Sequence, residues 1–62
     1  MTHPSRRTAA LRRLPVLHAR ALRLRDEGRS TEQVAEELGL EPEAVGPLLA
    51  VAEAKLATLL EE

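Results

Sequence analysis

Several residue types are missing from this chain of 62 residues, and each absence narrows what the protein can be. Without cysteine the chain has no disulfide, no thiol chemistry and no cysteine–zinc site, which fits a reducing compartment, so we expect a cytoplasmic protein. Without Phe, Tyr or Trp, its core must consist of Leu, Val and Ala. Because so short a chain buries only about 60% of its unfolded surface, we expect self-association or a partner to stabilise it.

Catalytic and membrane-spanning features are missing as well. The longest stretch without a charged residue, Ala44 to Ala52, has nine residues, whereas a membrane-spanning helix needs about 20. His3 and His18 each lack a second ligand at helical spacing, which argues against a metal site. The chain has neither a glycine-rich phosphate loop nor a constellation for nucleophilic or acid–base catalysis. The sequence therefore predicts a non-enzyme with no cofactor, no metal and no membrane contact.

The charges that are present are unevenly distributed. Residues 1–25 contain seven arginines and no acid, whereas residues 26–62 contain ten acids against Arg29 and Lys55. The first segment has a net charge of +7 and the second of −8, giving −1 overall. A basic segment could bind phosphate groups, whereas an acidic segment would be repelled by them. Alternatively, the opposite charges neutralise one another within a chain or between chains.

The stretch Ser30–Val45 predicts two helices joined by a tight turn. Ser30 and Gln33 have the spacing of a capping box at the start of the first helix. Gly39 fits the left-handed residue that ends a helix, and Pro42 fits the first turn of the next. The apolar face of the helix between them consists of Val34, Ala35 and Leu38. This punctuation is typical of a helix-turn-helix.

The remaining helices are predicted on either side of this stretch. A short helical turn, capped by Ser5 or Thr8, should be broken by Pro15, and a full helix should run from Pro15 to about Glu27. The helix-turn-helix then supplies a second helix over about Thr31–Leu38 and a third from about Glu43 to about Leu60. The expected core stripes are Leu17, Ala21 and Leu24 in the first full helix, and Val45, Leu49, Ala52, Leu56 and Leu59 in the third.

The predicted fold class is all-α, a small three-helix helix-turn-helix domain with a basic N-terminal arm. Residues 1–13 form the arm and the short helical turn, with residues 1–7 flexible, and residues 14–62 form the domain. Pro47 is expected in the first turn of the third helix, where the N–H groups have no partner within the helix, so that this helix begins near Glu43 or Ala44. The alternative is a kink that shapes a binding surface.

From Leu14 onward the chain resembles region four of bacterial sigma factors, the helix-turn-helix that binds the promoter −35 element. The matching residues are Leu14-Pro15, Ala21-Leu22-Arg23-Leu24, Glu27-Gly28, Ser30, Glu32, Val34-Ala35-Glu36, Leu38-Gly39-Leu40, Val45, Leu49, Ala52 and Ala54-Lys55-Leu56. The resemblance implies the fold and a role associated with transcription. Most of these residues are scaffold positions common to many helix-turn-helix proteins, so they specify the fold better than the function.

The departure from that family lies in the third helix, which in the family carries the polar residues that contact bases. Here the corresponding positions are Ala44, Gly46, Pro47, Leu48, Ala50, Val51 and Glu53, and no side chain from Ala44 to Ala54 can donate a hydrogen bond. Base edges and phosphates are recognised mainly through such donors. Glu41, Glu43 and Glu53 are expected to face phosphate and repel it. We therefore expect specific DNA binding to be lost.

Two function classes follow from these patterns. In the first, the chain is a transcription-associated protein-docking module that binds itself or a regulatory partner, such as a component of the transcription machinery. Its interface would consist of Ala44, Pro47, Leu48, Val51 and Lys55, because an exposed apolar patch on a helix marks an interface. The competing interpretation is that the N-terminal arm covers this patch through Leu11 and Leu14.

In the second class, the chain is a DNA-binding transcriptional regulator that contacts the phosphate backbone of DNA through its arginine-rich arm, weakly and without sequence preference. The candidate phosphate contacts are Arg6, Arg7, Arg12, Arg13, Arg29, Ser30 and Thr31. The arginines could instead form a solvated surface, or pair with acidic residues of another subunit.

Overall fold

The computed structural model describes residues 5–62, and within them the chain forms four α-helices and no strand. The helices are α1 (Arg6–Leu11), α2 (Val16–Asp26), α3 (Thr31–Leu38) and α4 (Pro42–Glu61). The all-α class predicted from the sequence is confirmed. The short helical turn expected before Pro15 is helix α1, which makes four helices where three full ones were predicted.

Helix α1 begins after Ser5, the earlier of the two capping residues predicted from the sequence. The Ser5 hydroxyl oxygen accepts a hydrogen bond from the backbone N–H of Thr8 at 3.0 Å and caps the helix. Arg6 and Arg7 are therefore helical, and the prediction that they belong to a flexible arm is wrong; residues 1–4 of that arm lie outside the described part of the chain. Ala10 is buried, so α1 packs onto the rest of the fold.

Helix α2 begins after Pro15, as predicted, but buries a different face. Ala21 and Leu22 are fully buried, while Leu17 is 40% exposed. The prediction that Leu17 is a core residue is therefore wrong, and Leu22 takes its place. The helix ends before Gly28, whose φ of 85° lies in the left-handed region that favours glycine.

The residues predicted to cap the start and the end of α3 do so. The Ser30 side chain accepts from the N–H of Gln33, and the Gln33 side chain accepts from the N–H of Ser30, which completes the capping box. Gly39 has a φ of 69°, and the N–H of Leu40 then donates to the carbonyl of Ala35 at 2.8 Å. Val34 and Ala35 are buried, as their spacing predicted.

Helix α4 is the longest helix and packs against each of the other three. It begins at Pro42, with Glu41 as its N-terminal cap, so Pro47 is its sixth residue and lies in the second turn. The prediction that Pro47 lies in the first turn is wrong because Pro42 already occupies the first helical position, which suits a residue without an N–H. Pro47 therefore deprives the carbonyl of Glu43 of its usual helical donor.

Two clusters of buried side chains hold the helices together. One joins α1, α2 and α4 and consists of Ala10, Leu14, Leu22, Ala52 and Leu56. The other joins α3 to α4 and consists of Val34, Ala35 and Val45. Leu49 packs against both clusters, so the inner face of α4 forms a continuous spine. The core stripe predicted for this helix is confirmed, and it leaves the opposite face uncovered.

Candidate protein-docking surface on helix α4

The uncovered face of α4 carries the residues proposed as an interface, and we call them the outer patch: Ala44, Pro47, Leu48, Val51 and Lys55. Pro47 and Leu48 are neighbours in sequence and each lies three or four residues from both Ala44 and Val51, and Lys55 follows Val51 by four, so these residues share one side of the helix. Val51 is 47% exposed, Leu48 is half-buried, and the other three side chains are exposed. The structure thus brings the predicted interface residues together on one surface.

The competing interpretation was that Leu11 and Leu14 cover the outer patch, and they do not. Leu11 and Leu14 belong to the cluster built around Leu22 and Leu56, which does not include Leu48 or Val51. Helix α1 therefore packs on another side of α4. Within residues 5–62, Val51 remains one of three large hydrophobic side chains that are exposed, together with Val16 and Leu17.

A shallow groove continues the outer patch toward the end of α4. It has a volume of about 270 Å³ and is lined by Arg13, Leu14, Pro15, Lys55, Thr58 and Leu59. Its walls come from the turn between α1 and α2 on one side and from α4 on the other. The sequence does not reveal this groove, because it arises only when Pro15 places that turn against the C-terminal half of α4.

Acidic residues on or near α4 differ in their surroundings. Glu53 was expected to face phosphate, but it forms an ion pair with Arg25 of α2, and this hydrogen bond raises the pKa of Arg25. That prediction is wrong for Glu53, which points toward α2. Glu41 and Glu43 are exposed at the start of α4 and form no ion pair within the described residues.

Most of the arginines proposed as phosphate contacts form hydrogen bonds or ion pairs within the fold. Arg6 donates to the carbonyl of Leu60 at 2.5 Å, and Arg7 pairs with Asp26 at 2.6 Å. The hydrogen bond from Arg7 lowers the pKa of Asp26. Part of the basic first half of the chain is thus neutralised by acidic residues of the second half.

The remaining candidates are dispersed. Arg13 pairs with Glu62 at 2.9 Å, and Arg29 lies 3.8 Å from Glu27 and lines a cleft with two glutamates. The Ser30 hydroxyl is used in the capping box, Thr31 is the exposed first residue of α3, and Arg12 is exposed without an ion pair in the described region. These residues do not form one continuous basic surface.

Two arginines that the sequence analysis did not propose as phosphate contacts are better placed. Arg20 and Arg23 are exposed on α2 and have no ion pair among residues 5–62. Their spacing of three residues puts them on one side of the helix. That spacing, away from the core stripe, was the available signal for this pair.

No metal or membrane site emerges from the described region. Residues 5–62 contain no group of three or more His, Cys, Asp or Glu side chains that could hold a metal ion. The Nδ1 atom of His18 is buried without a hydrogen-bond partner there, while His3 lies outside the described residues. None of the described helices combines the length and apolar character needed to cross a membrane.

The geometry therefore presents an apolar surface on α4, a groove beside it, and arginines that are mostly engaged. Comparison of the chain with protein-family models, with curated proteins and with solved structures found no match. The resemblance to region four of sigma factors accordingly remains an expectation supported by the sequence motifs.

Proposed function

We propose that the chain is a small, transcription-associated helix-turn-helix protein that acts as a protein-docking module through the outer patch of α4. One observation carries the proposal. The stretch from Ala44 to Ala54 offers no side-chain donor, while Val51 in the middle of it is 47% exposed. A helix surface of this composition suits contact with another apolar surface and does not suit contact with nucleic acid.

The first turn of α4 strengthens the argument against DNA. In a helix-turn-helix, the second helix of the motif enters the major groove with its N-terminal residues at the base edges. Here that position carries Glu41 and Glu43, both exposed and free of ion pairs within residues 5–62. Bringing two carboxylates next to DNA phosphates is repulsive, and no nearby donor on α4 offsets the repulsion.

Because the core is small, docking should also affect the stability of the fold. Among residues 5–62, the nine buried core residues are all Ala, Val or Leu. Completely burying one Val or Leu contributes about 1.5–3 kcal/mol, so covering even part of Leu48 and Val51 is appreciable against a total stability of about 3–9 kcal/mol for a domain of this length. A partner on the outer patch would therefore stabilise the fold as well as bind to it.

Val51→Lys is expected to abolish docking while leaving the isolated chain folded, because the lysine is tolerated in water but not in an apolar interface. Val16→Lys is the matched control, since Val16 is 74% exposed and lies on α2. The measurements are sedimentation of the pure proteins and affinity capture from source cells, with far-ultraviolet circular dichroism to check folding.

The expected result is that the parent and Val16→Lys associate with themselves or with the same captured protein and that Val51→Lys does neither. Leu48→Ser, combined with Val51→Lys, should remove any residual association. The proposal fails if all these variants behave like the parent in both measurements.

A weaker second function, non-specific DNA binding, is favoured by one observation. Arg12, Arg20 and Arg23 are exposed and have no ion pair in the described part of the chain. Three phosphate contacts predict roughly 40-fold weaker binding for a fourfold rise in salt concentration.

Fluorescence anisotropy with labelled DNA duplexes of unrelated sequence measures the affinity at low and at physiological salt. We expect weak binding that is equal for all duplexes, fades with salt and is lost when the three arginines become Gln. Sequence-selective binding of sub-micromolar affinity at physiological salt would contradict the loss of base recognition by α4.

A further inference from the structure

We infer that the partner of the outer patch is a second copy of this chain, bound with the two α4 helices antiparallel. This inference rests on the docking role proposed above and specifies its occupant. The observations that carry it are the spacing of the exposed residues along α4, the charges at the two ends of that row, and the groove beyond it.

The exposed row of α4 has the spacing of a coiled-coil seam. Ala44, Leu48, Val51, Lys55 and Thr58 follow one another at steps of four, three, four and three residues. This alternation is the a/d pattern of a heptad repeat, which keeps one side of a helix against a neighbouring helix. Leu48 and Val51, in the middle of this row, belong to neither buried cluster of residues 5–62, and α4 runs for 20 residues.

An antiparallel pair has a register in which the two apolar side chains cover each other. When Leu48 of one copy lies opposite Val51 of the other, twofold symmetry places Val51 of the first opposite Leu48 of the second. Lys55 follows Val51 by four residues in the first copy, and Ala44 precedes Leu48 by four residues in the second. Lys55 therefore lies opposite Ala44 of the second copy. The small Ala44 side chain leaves room for the aliphatic part of Lys55.

The charges at the ends of the row select this orientation. Lys55 is the one lysine of the chain, is exposed, and has no ion pair among the described residues. In the antiparallel register it lies against the first turn of the other α4, where Glu41 and Glu43 precede Ala44. A parallel pair would instead bring the two Lys55 side chains together, which is repulsive.

The groove beside the outer patch fits the same register. Continuing past Lys55 places Glu41, the N-terminal cap of the second copy's α4, opposite Thr58 and brings Leu40, the residue before that cap, near Leu59; Thr58 and Leu59 both line the groove. Leu40 is half-buried in its own chain, so it has apolar surface left to contribute. Arg13, which pairs with Glu62 of its own chain, lies at the rim of the groove near Glu41 of the second copy in this register. The groove is thus a site that a second copy completes.

A charge-swap experiment on the full chain tests the occupant and the register together. The parent should sediment as a dimer of twice the chain mass of 6.8 kDa at concentrations above about 100 µM. Lys55→Glu alone, and Glu41→Lys with Glu43→Lys alone, should each weaken self-association at least about tenfold, because each places like charges opposite one another. An equimolar mixture of the two proteins should form a heterodimer, since both end contacts then pair opposite charges.

Circular dichroism of each variant keeps the test interpretable, and Glu41→Gln with Glu43→Gln replaces the lysine variant if lysines in the first turn unfold α4. A monomeric parent at all concentrations overturns this inference while leaving docking on a different protein intact. A dimer that the charge variants do not weaken, or that the mixture does not restore, overturns the antiparallel register. Loss of dimer with Val51→Lys but not with Val16→Lys supports the inference and the docking role together.

Discussion

Leu22→Ala is expected to lower the free energy of unfolding by about 2–5 kcal/mol, enough to leave much of the chain unfolded. Leu22 is completely buried between α1 and α4, in contact with the cluster that includes Leu14 and Leu56. A domain of 62 residues has a total stability of about 3–9 kcal/mol on a per-residue basis, so this loss is a large share of it. Urea denaturation followed by circular dichroism measures the difference.

The control for this prediction is the same substitution five residues earlier on the same helix. Leu17 is 40% exposed, and Leu and Ala have similar helix propensities, so Leu17→Ala should change stability by less than about 1 kcal/mol. Both variants are compared at one protein concentration, because self-association shifts apparent stability. Equal losses for the two variants would contradict the packing of α2 described here.

The sequence alone could not show that α2 buries Leu22 and leaves Leu17 exposed. Helix α2 has apolar residues on more than one side, so its periodicity does not single out the buried face. The choice is made by the contact with α4, which lies far along the chain. In α3 only one side is apolar, and the sequence alone identified Val34 and Ala35 correctly.

Local chemistry explains what could be predicted best. The capping box at Ser30, the left-handed Gly39 and the apolar spine of α4 depend on residues within a few positions of each other, which the sequence displays directly. The start of α4 was misjudged because two prolines competed for its first turn, and Pro42 took that position.

Long-range contacts explain what could not be predicted. Arg7 and Asp26 are 19 residues apart and Arg13 and Glu62 are 49 apart, so no helical spacing connects them. The exposed side of α4 could be inferred from its own periodicity, since it is the side opposite the spine. The groove next to it could not, because it needs the position of the turn between α1 and α2.

Pro47→Ala is expected to raise the free energy of unfolding by about 1–3 kcal/mol, which is unusual for a single substitution. At the sixth position of α4 the proline has no N–H for the carbonyl of Glu43, and its ring crowds that carbonyl. Alanine restores the hydrogen bond and removes the crowding. The gain should be measured in the Val51→Lys background, so that stability of the fold is separated from association at the outer patch.

Pro42→Ala is the matched control, because it makes the same change in the same helix at a position where no intrahelical donor is needed. It should change stability by less than about 1 kcal/mol, chiefly through the greater freedom of the unfolded chain. Gly46→Ala next to Pro47 should add about 0.5–1 kcal/mol, since a Cβ atom there meets nothing within 4 Å. If Pro47→Ala instead destabilises the chain while Gly46→Ala stabilises it, the packing of α4 requires a distortion at Pro47. Pro47 would then be needed for the shape of the outer patch, and would not be a tolerated defect within it.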